Sequence, residues 1–539
     1  MYPDLITPRS HPHLLARVDY DPMRVMPEAF CAGPRVFTTA AQLQRARQRL
    51  ADGNAIDVQC LEQLVRACEL DRPLPESTTR DGSPNWRGAV GPLAGISFHN
   101  AVAWALTDET RHRDRALEAL RRAADAASRV SAWSGHEHGE ASSAARAYDL
   151  LCTAPLEADD DNRFRQLLWT LIEALDQGEH RGCNNHNSMN MNGRISIAAA
   201  LGHRGFLHDV LYGCERGGAW RYGLIHLLRH DFLSDGMQWE GAMGYHMLVL
   251  RMVSECLTIL EHLGVDLWQR DWPSLNQDDG YDEHRGWGPR GGRCIKAGFE
   301  ALIYQAFTSG DYSLTHDQIL GNLRGAYVWW PLFNKAYDVY GDERFAWVLR
   351  QINGGKAAKN DGTLPVWLAD GRGATLFVRV ERRDHPEGTN PFTDDRDFSL
   401  TGRHVHGCSL FPVHGSAVLR SDTSDGDALG ASLYFGPHWA GHRSPAALHL
   451  DIHGRGRRVT TAPHLTKGGY GDPMHLTWVR STLAHNTVTV AITPTTTTPG
   501  ALRRRCHWSH DTTATSGCCT GTTISRTATV AESIHNAAN

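Results

Sequence analysis

The sequence predicts an α+β protein with a helical domain followed by an antiparallel β domain, and three observations carry this prediction. Apolar residues recur at three- and four-residue spacing from about Thr38 to Ile352, which is the period of an amphipathic helix. After Ile352, short alternating runs are separated by Gly, Asp, Pro and Asn, as in antiparallel sheets. At 539 residues the chain also exceeds one ordinary hydrophobic core. We therefore expect a helical domain over residues 1–360 and a β domain over residues 361–491.

The helical periodicity is divided into many short segments. Helices are predicted over residues 41–50, 98–106, 114–130, 144–151, 164–175, 195–201, 220–228, 245–263 and 295–307. In the segment 245–263 the polar positions beyond His246 form one narrow stripe, and Gly264 follows as a C-terminal cap. So narrow a stripe indicates a helix covered by its neighbours. Short loops between such helices predict antiparallel helical hairpins, arranged as a solenoid or as a closed toroid.

The β domain is predicted from short runs at residues 374–380, 416–419, 431–435, 448–452 and 487–490, which favour a sandwich. The boundary between the domains is expected near residues 355–370. Residues 492–539 differ from both domains because they are Thr-rich, almost without aromatic residues and without apolar alternation. Two interpretations stay open for this segment: a disordered tail, or the product of a frameshift.

Composition excludes several classes of function. The formal net charge of -5 gives no electrostatic reason to expect nucleic acid as a partner. No run of about 18 uninterrupted apolar residues occurs, so no membrane span is predicted. The first residues lack the basic and then apolar pattern of a secretory signal, which favours a cytoplasmic location. The 12 cysteines are scattered, as expected of free thiols.

Two polar segments of the predicted helical domain are candidates for chemistry. Residues 183–190 carry several amide and imidazole groups ahead of a helix expected near Asn192, and a helix N-terminus favours anions. The alternative is a capping loop, because Asn and Ser are common at caps. Residues 235–246 contain three glycines that permit close backbone approach, followed by Tyr245 and His246. Plain packing is the alternative for this second segment.

Two further segments lie in the predicted β domain. Residues 436–442 end at His442 and precede a strand with His449, Asp451 and His453 on one face. That face is either a metal site or a solvated polar surface. Residues 468–471 and 480–487 lead into the last predicted strand, where a buried histidine at the strand head is either structural or catalytic.

Taken together, these segments resemble the heparinase II/III-like polysaccharide lyases, which include oligo-alginate lyases. Asn185-His186, Gly244-Tyr245-His246, Gly441-His442 and residues 480–490 occur in the family's order and with about its spacing. The resemblance runs from His11 to Thr487. It implies an (α/α) toroid followed by an antiparallel β-sandwich, with the active site between them. It also implies β-elimination on an acidic polysaccharide or oligosaccharide without an organic cofactor, and it adds the cell envelope as an alternative location.

The resemblance also implies roles for five catalytic residues. Asn185 and His186 would neutralise the uronate carboxylate, whose charge grows as the C5 proton is removed. Tyr245 would protonate the leaving O4, and would also act as the base when proton and leaving group share a face. His442 is the second candidate base, since an imidazole titrates near neutrality. Tyr470 stands where related alginate-type enzymes place another catalytic tyrosine.

Four more residues are candidates for substrate binding. Arg194 and Arg480 could each hold a neighbouring carboxylate through two parallel hydrogen bonds. His246 and Glu240 adjoin the Tyr245 segment and are expected to line the same site.

A structural zinc is also implied by the resemblance, but the sequence departs from its ligand pattern. Ser444 stands where a ligand histidine is expected, no Asp occurs near residues 462–464, and only His485 is retained. One ligand cannot form a site that needs three or four, so we expect no zinc. The alternative is a rebuilt site that uses His449, Asp451 or His464.

Two rival functions use the same fold. A glycoside hydrolase on a helical toroid would need two carboxylates, and Asp235 with Glu240 are the pair that the sequence offers. A catalytically impaired carbohydrate-binding protein is the third interpretation, to which the incomplete zinc pattern and the unusual tail point.

Overall fold

The structure is a computed structural model. It describes residues 26–488 apart from gaps, of which the longer cover 54–57, 69–72, 79–82, 179–183, 273–294, 317–321, 324–329, 353–387, 397–401, 437–441 and 461–468. The described residues fall within one compact unit, Met1–Thr489. The boundary expected at 355–370, the strand expected at 374–380 and the segment 492–539 lie outside the described residues, so they remain predictions.

Helices occupy most of the described residues before position 353. They are α1 (Ala40–Ala51), α2 (Trp86–Thr107), α3 (Thr110–Ala127), α4 (His138–Leu151), α5 (Ala158–Leu175), α6 (Asn185–Leu201), α7 (Arg204–Tyr212), α8 (Leu224–His230), α9 (Met243–His262), α10 (Lys296–Tyr304), α11 (Trp330–Tyr340) and α12 (Glu343–Ile352). The structure corrects the helix expected at 220–228. Trp220 lies in a short strand pair, β1 (Cys214–Arg216) with β2 (Ala219–Arg221), and α8 begins only after the extended Gly223.

The central helices pack against one another in a continuous series. Helices α2, α4, α6 and α9 each contact the next in that order, while α3 packs on α2 and on α5. Small side chains allow the close approach, since Ala101, Ala116, Ala119, Ala141 and Ala144 are all fully buried. Helices α2 and α3, which are joined by two residues and pack on each other, form one of the predicted helical hairpins.

The first turns of α6 and α9 determine where the polar motifs lie. The Asn184 side chain accepts a hydrogen bond from the Asn187 backbone N–H at 2.8 Å, and this N-cap starts α6 at Asn185. The start expected near Asn192 was wrong, so Asn185 and His186 lie in the first helical turn and not in a preceding loop. Helix α9 begins shortly after Gly241, whose φ of 81° suits glycine.

Helix α9 is both long and largely apolar. In the described part of the chain it is long and apolar enough to cross a membrane by length and composition. However, 72% of its apolar window is buried inside the protein. Such burial is typical of the core helix that the narrow polar stripe predicts.

One antiparallel sheet follows the helices, with its six strands in sequential order. They are β3 (Arg403–Val405), β4 (Cys408–Phe411), β5 (Ser416–Arg420), β6 (Gly430–Tyr434), β7 (His449–Gly454) and β8 (Arg457–Arg458). The strands expected at 416–419, 431–435 and 448–452 are present. The first two strands were not predicted because they are short and carry buried polar residues. The strand expected at 487–490 is not formed at Thr487 and Val488, and residues 489–490 lie outside the described residues.

The two faces of this sheet differ. His449, Asp451 and His453 share one face and are buried, which corrects the interpretation of a solvated polar surface. They meet the helical part instead: His453 Nε2 lies 2.8 Å from Asp311 Oδ2, and Asp451 Oδ2 accepts from the Leu314 N–H. The other face exposes apolar side chains, and no second sheet packs on it within the described residues. These exposed side chains include Val405, Leu410, Leu419 and Leu450.

Buried polar contacts hold the helical part against the sheet. Asp235 Oδ2 accepts the backbone N–H of Val413 at 3.0 Å and of His414 at 2.7 Å. The buried Arg420 guanidinium donates to the carbonyls of Tyr304 and Ala306. Because these groups are paired across the junction, the start of α9 is held at a defined place beside the sheet.

Candidate active site

Two tyrosines and a histidine from three separate elements meet beside α9. Tyr245 is the third residue of α9, Tyr470 lies in the short helix Gly469–Gly471, and His442 lies between β6 and β7. The Tyr245 and Tyr470 hydroxyls are hydrogen-bonded to each other, and the Tyr470 hydroxyl lies 2.9 Å from His442 Nδ1. All three side chains keep some exposure. We refer to these three residues as the Tyr-His cluster.

Glu240 lies on the other side of the His442 ring. Its Oε1 is 3.7 Å from His442 Nε2, and its Oε2 accepts from the Asn185 backbone N–H at 3.2 Å and from Gln238 Nε2 at 3.1 Å. Burial, with a further contribution from Asp231, raises the pKa of Glu240 to about 8. The side chain expected to bind substrate is thus buried, and its carboxyl contacts protein groups.

His186 lies at the exposed beginning of α6. Its ring packs on the ring of His136 with a centroid separation of 4.7 Å. Desolvation, then the neighbouring His136 and His442, lowers the pKa of His186. A neutral imidazole can still donate one hydrogen bond to an anion. Asn185 is buried, and its backbone N–H is the group that binds Glu240.

His136 is a neighbour of the site that the sequence patterns did not indicate. The Asn190 side chain donates to the Gly135 carbonyl at 3.1 Å, which ties the loop before α4 to α6 and brings the exposed His136 against His186. The sequence does place two histidines close together here, His136 directly after Gly135 and His138 two residues later. Nothing local links that loop to residue 186, so only the packing of α4 on α6 places it there.

The remaining candidate substrate-binding residues lie apart from the Tyr-His cluster. Arg194 is buried and donates to Asp176 Oδ1 at 2.8 Å. His246 is fully buried between the Gln238 N–H and the Gly298 carbonyl, and burial lowers its pKa to about 4. Neither side chain is accessible to substrate, so we assign both to packing instead of to binding. Arg480 is exposed beside the helix His475–Val479, without a described contact to the cluster.

The donors available for zinc are fewer than a zinc site requires. The rings of His449 and His485 are neighbours, with centroids 5.6 Å apart. Asp451 is already occupied by Arg458, Thr460 and the Leu314 N–H, and His464 lies outside the described residues. No group of three metal-binding side chains occurs in the described ranges. Two imidazoles do not fit a structural zinc, and the expectation that none binds stays a prediction.

The carboxylate pair required by the hydrolase alternative is not arranged around an open space. Asp235 is fully buried, and one of its oxygens is occupied by two backbone N–H groups of the sheet part. Glu240 is 3% exposed. An inverting hydrolase needs two carboxyl groups with room between them for sugar and water. The placement of this pair therefore disfavours hydrolysis.

Comparisons with known proteins give remote structural neighbours. No protein-family profile matches the chain, and no curated protein sequence matches it. The chain is similar to heparan sulfate lyase HepC from Pedobacter heparinus, with 12% identity, a TM-score of 0.46, and coverage of 84% of this chain and 68% of that one. It is also similar to a heparinase III structure, with 11% identity, a TM-score of 0.47, and coverage of 90% of this chain and 71% of that one. A third similar structure is alginate lyase A1-III from Sphingomonas species A1, with 14% identity, a TM-score of 0.34, and coverage of 48% of this chain and 74% of that one. At such distances the reaction must be argued from the site itself.

Proposed function

We propose that this chain is a polysaccharide lyase that cleaves a uronic-acid-containing polysaccharide or oligosaccharide by β-elimination. The observation that carries the proposal is the Tyr-His cluster, in which the Tyr245 hydroxyl, the Tyr470 hydroxyl and His442 Nδ1 form one hydrogen-bonded chain. Such a chain can accept a proton at one end and release it at the other, which β-elimination requires. The architecture implied by the family resemblance, a toroid followed by a sandwich, is part of this proposal.

The chemical difficulty of the reaction lies at C5 of the uronic acid. Removing the weakly acidic C5 proton places negative charge on the adjacent carboxylate, so donors that bind this carboxylate stabilise the transition state. His186 is exposed beside the cluster and is the group that we assign to this task, with Asn185 as its partner. The net charge of the chain is only -5, so recognition of an anion depends on local donors of this kind.

The proton transfers are assigned to the cluster. Tyr245 takes the C5 proton, or protonates the leaving O4, according to the face of the sugar on which each atom lies. His442 serves as the base that receives a proton through Tyr470, since its Nδ1 lies 2.9 Å from that hydroxyl. The bond from C4 to O4 breaks as the double bond between C4 and C5 forms. No step requires an organic cofactor.

Ultraviolet absorbance of the products tests the proposal directly, because the new C4–C5 double bond absorbs and an ordinary sugar does not. We would incubate the protein with alginate, heparin, heparan sulfate, hyaluronan and chondroitin, with Tyr245→Phe as the matched inactive variant. A lyase raises absorbance on at least one substrate. Reducing ends without absorbance would indicate a hydrolase, binding without either product would indicate a carbohydrate-binding protein, and each result would refute the proposal.

A further inference from the structure

Glu240 is held in place by two donors that bind the same oxygen. Oε2 accepts from the Asn185 N–H and from Gln238 Nε2, while Oε1 is directed toward His442 Nε2 at 3.7 Å. The Gln238 side chain is itself fixed, since its Nε2 also donates to Asp231 and its Oε1 accepts from the Glu240 N–H. The buried carboxyl therefore presents one particular oxygen to the imidazole.

This placement bears on the His442 ring, because its two nitrogens have different neighbours. Nε2 faces the Glu240 carboxyl and Nδ1 faces the Tyr470 hydroxyl. When Glu240 is a carboxylate, it favours the tautomer with the proton on Nε2, so Nδ1 is left as an acceptor for Tyr470. When the pair of Glu240 and His442 holds one more proton, Nδ1 carries a hydrogen and donates to Tyr470.

We propose that Glu240 is a positioning residue that determines which nitrogen of His442 carries the proton, and thereby the direction in which the Tyr-His cluster transfers a proton. This inference rests on the proposed lyase function for its kinetic consequence, although the tautomer itself can be observed without any substrate. In a catalytic triad, a carboxylate orients the histidine base that deprotonates the nucleophile. Here Glu240 orients His442 in the same way, and Tyr470 stands in the position of the nucleophile.

The proton balance is complete within the chain. With Nδ1 as the acceptor, Tyr470 transfers its hydroxyl proton to His442 and receives the hydroxyl proton of Tyr245. The products are a Tyr245 phenolate and a His442 imidazolium, and the Glu240 carboxylate stabilises the positive charge. The phenolate then takes the C5 proton of the sugar, and the re-formed Tyr245 hydroxyl gives that proton to the leaving O4. The proton on His442 afterwards returns through Tyr470 to Tyr245, which restores all three groups. No other reactant is consumed.

Two further ionisable groups, Asp231 and His186, lie near the pair formed by Glu240 and His442. Asp231 lies behind Glu240 and favours its protonated form, as burial does, and together they raise the pKa of Glu240 to about 8. His442 lies close enough to His186 to contribute to the lowered pKa of His186, after desolvation and His136. We therefore expect the productive direction above about pH 8, where Glu240 is a carboxylate.

Histidine ring ¹⁵N chemical shifts, measured at pH 9, test the inference, with the His442 signal assigned by its loss in His442→Asn. Wild type is expected to carry the His442 proton on Nε2. In Glu240→Gln the amide oxygen must face the Asn185 and Gln238 donors, so its NH₂ faces Nε2 and moves the ring proton to Nδ1. His404, bound between Ser409 and the Phe392 carbonyl, is the internal reference. An Nε2–H tautomer retained in Glu240→Gln would overturn the inference.

A second variant covers the case in which Glu240→Gln does not fold. Tyr470 is 40% exposed, so Tyr470→Phe should fold normally while it removes the other neighbour of the ring. The Nε2–H tautomer should persist in Tyr470→Phe if Glu240 determines it. A shift of the proton to Nδ1 in this variant would assign the control to Tyr470 and refute the inference.

Kinetics then connect the tautomer to turnover. On a substrate that wild type cleaves, Glu240→Gln should lower kcat by about 10²–10⁴-fold with KM little changed, and should lose the rise of kcat through about pH 8. A Glu240 that only supports the fold would leave that pH profile intact in the folded variant. If wild type cleaves nothing, the proposed function fails while the tautomer measurement still decides the role of Glu240.

Discussion

The ring of His442 lies parallel to the ring of Tyr245, with centroids 3.4 Å apart and planes at 3° to each other. Tyr245 belongs to helix α9 and His442 to the connection between β6 and β7, so this stack joins the helical part of the chain to the sheet. Tyr470 closes the arrangement by contacting both polar groups. A proton can pass through the cluster only when both parts are correctly placed.

The first prediction concerns the Tyr245 hydroxyl. Tyr245→Phe should lower kcat by about 10²–10⁴-fold, because a proton-transferring group is removed while the ring remains stacked on His442. Substrate binding and the unfolding temperature should change little. Tyr340→Phe is the matched control, since that hydroxyl donates to the Trp268 carbonyl outside the cluster. Near-normal turnover of Tyr245→Phe would exclude Tyr245 from the mechanism.

The second prediction separates transition-state stabilisation from simple binding. His186→Ala and Asn185→Ala should lower kcat more than they raise KM, because the charge on the substrate carboxylate grows during C5 deprotonation. Asn185 is buried, so its variant needs a parallel unfolding measurement. His406→Ala, which removes an exposed imidazole from the sheet part, is the control and should behave as wild type. An effect confined to KM would make both residues ordinary binding residues.

The third prediction concerns stability and pH. Glu240 has a pKa near 4.5 when unfolded and about 8 when folded, so the folded state binds its proton more tightly. The resulting stabilisation is complete below pH 4.5 and is lost as pH rises through 8. Between pH 7 and 8.5 the free energy of unfolding should fall in wild type and fall less steeply in Glu240→Gln. Urea unfolding at several pH values measures both slopes, and equal slopes would contradict the raised pKa.

The fourth prediction concerns the junction beside α9. Asp235→Ala removes the acceptor of two backbone N–H groups, at Val413 and His414, and should cost about 1–3 kcal/mol of unfolding free energy. Asp235→Asn keeps an acceptor oxygen and should restore most of that stability. If Asp235→Asn folded normally and still lost all activity, Asp235 would have a chemical role, which would favour the hydrolase alternative.

The periodicity of apolar residues was sufficient to predict much of the helical part. In α9 the polar residues form a narrow stripe because most of the helix surface is covered by neighbouring elements. The residues on the covered surface must be apolar, so the apolar positions recur with the helical period. The pattern failed at residues 220–228, where Trp220 belongs to a strand pair and the extended Gly223 separates it from α8. Strands β3 and β4 were missed because four or fewer residues with buried polar groups leave no clear alternation.

For the active site too, some features could be predicted from short motifs, whereas others depend on contacts between segments that are distant in the sequence. The sequence by itself singled out Asn185, His186, Tyr245, His442 and Tyr470, because their motifs together resemble those of the lyases in order and spacing. Only the tertiary structure decided that Tyr470 bridges Tyr245 and His442, and that Glu240 lies buried against the imidazole. Burial and pairing depend on which distant segments pack together, and a one-dimensional pattern does not record those contacts.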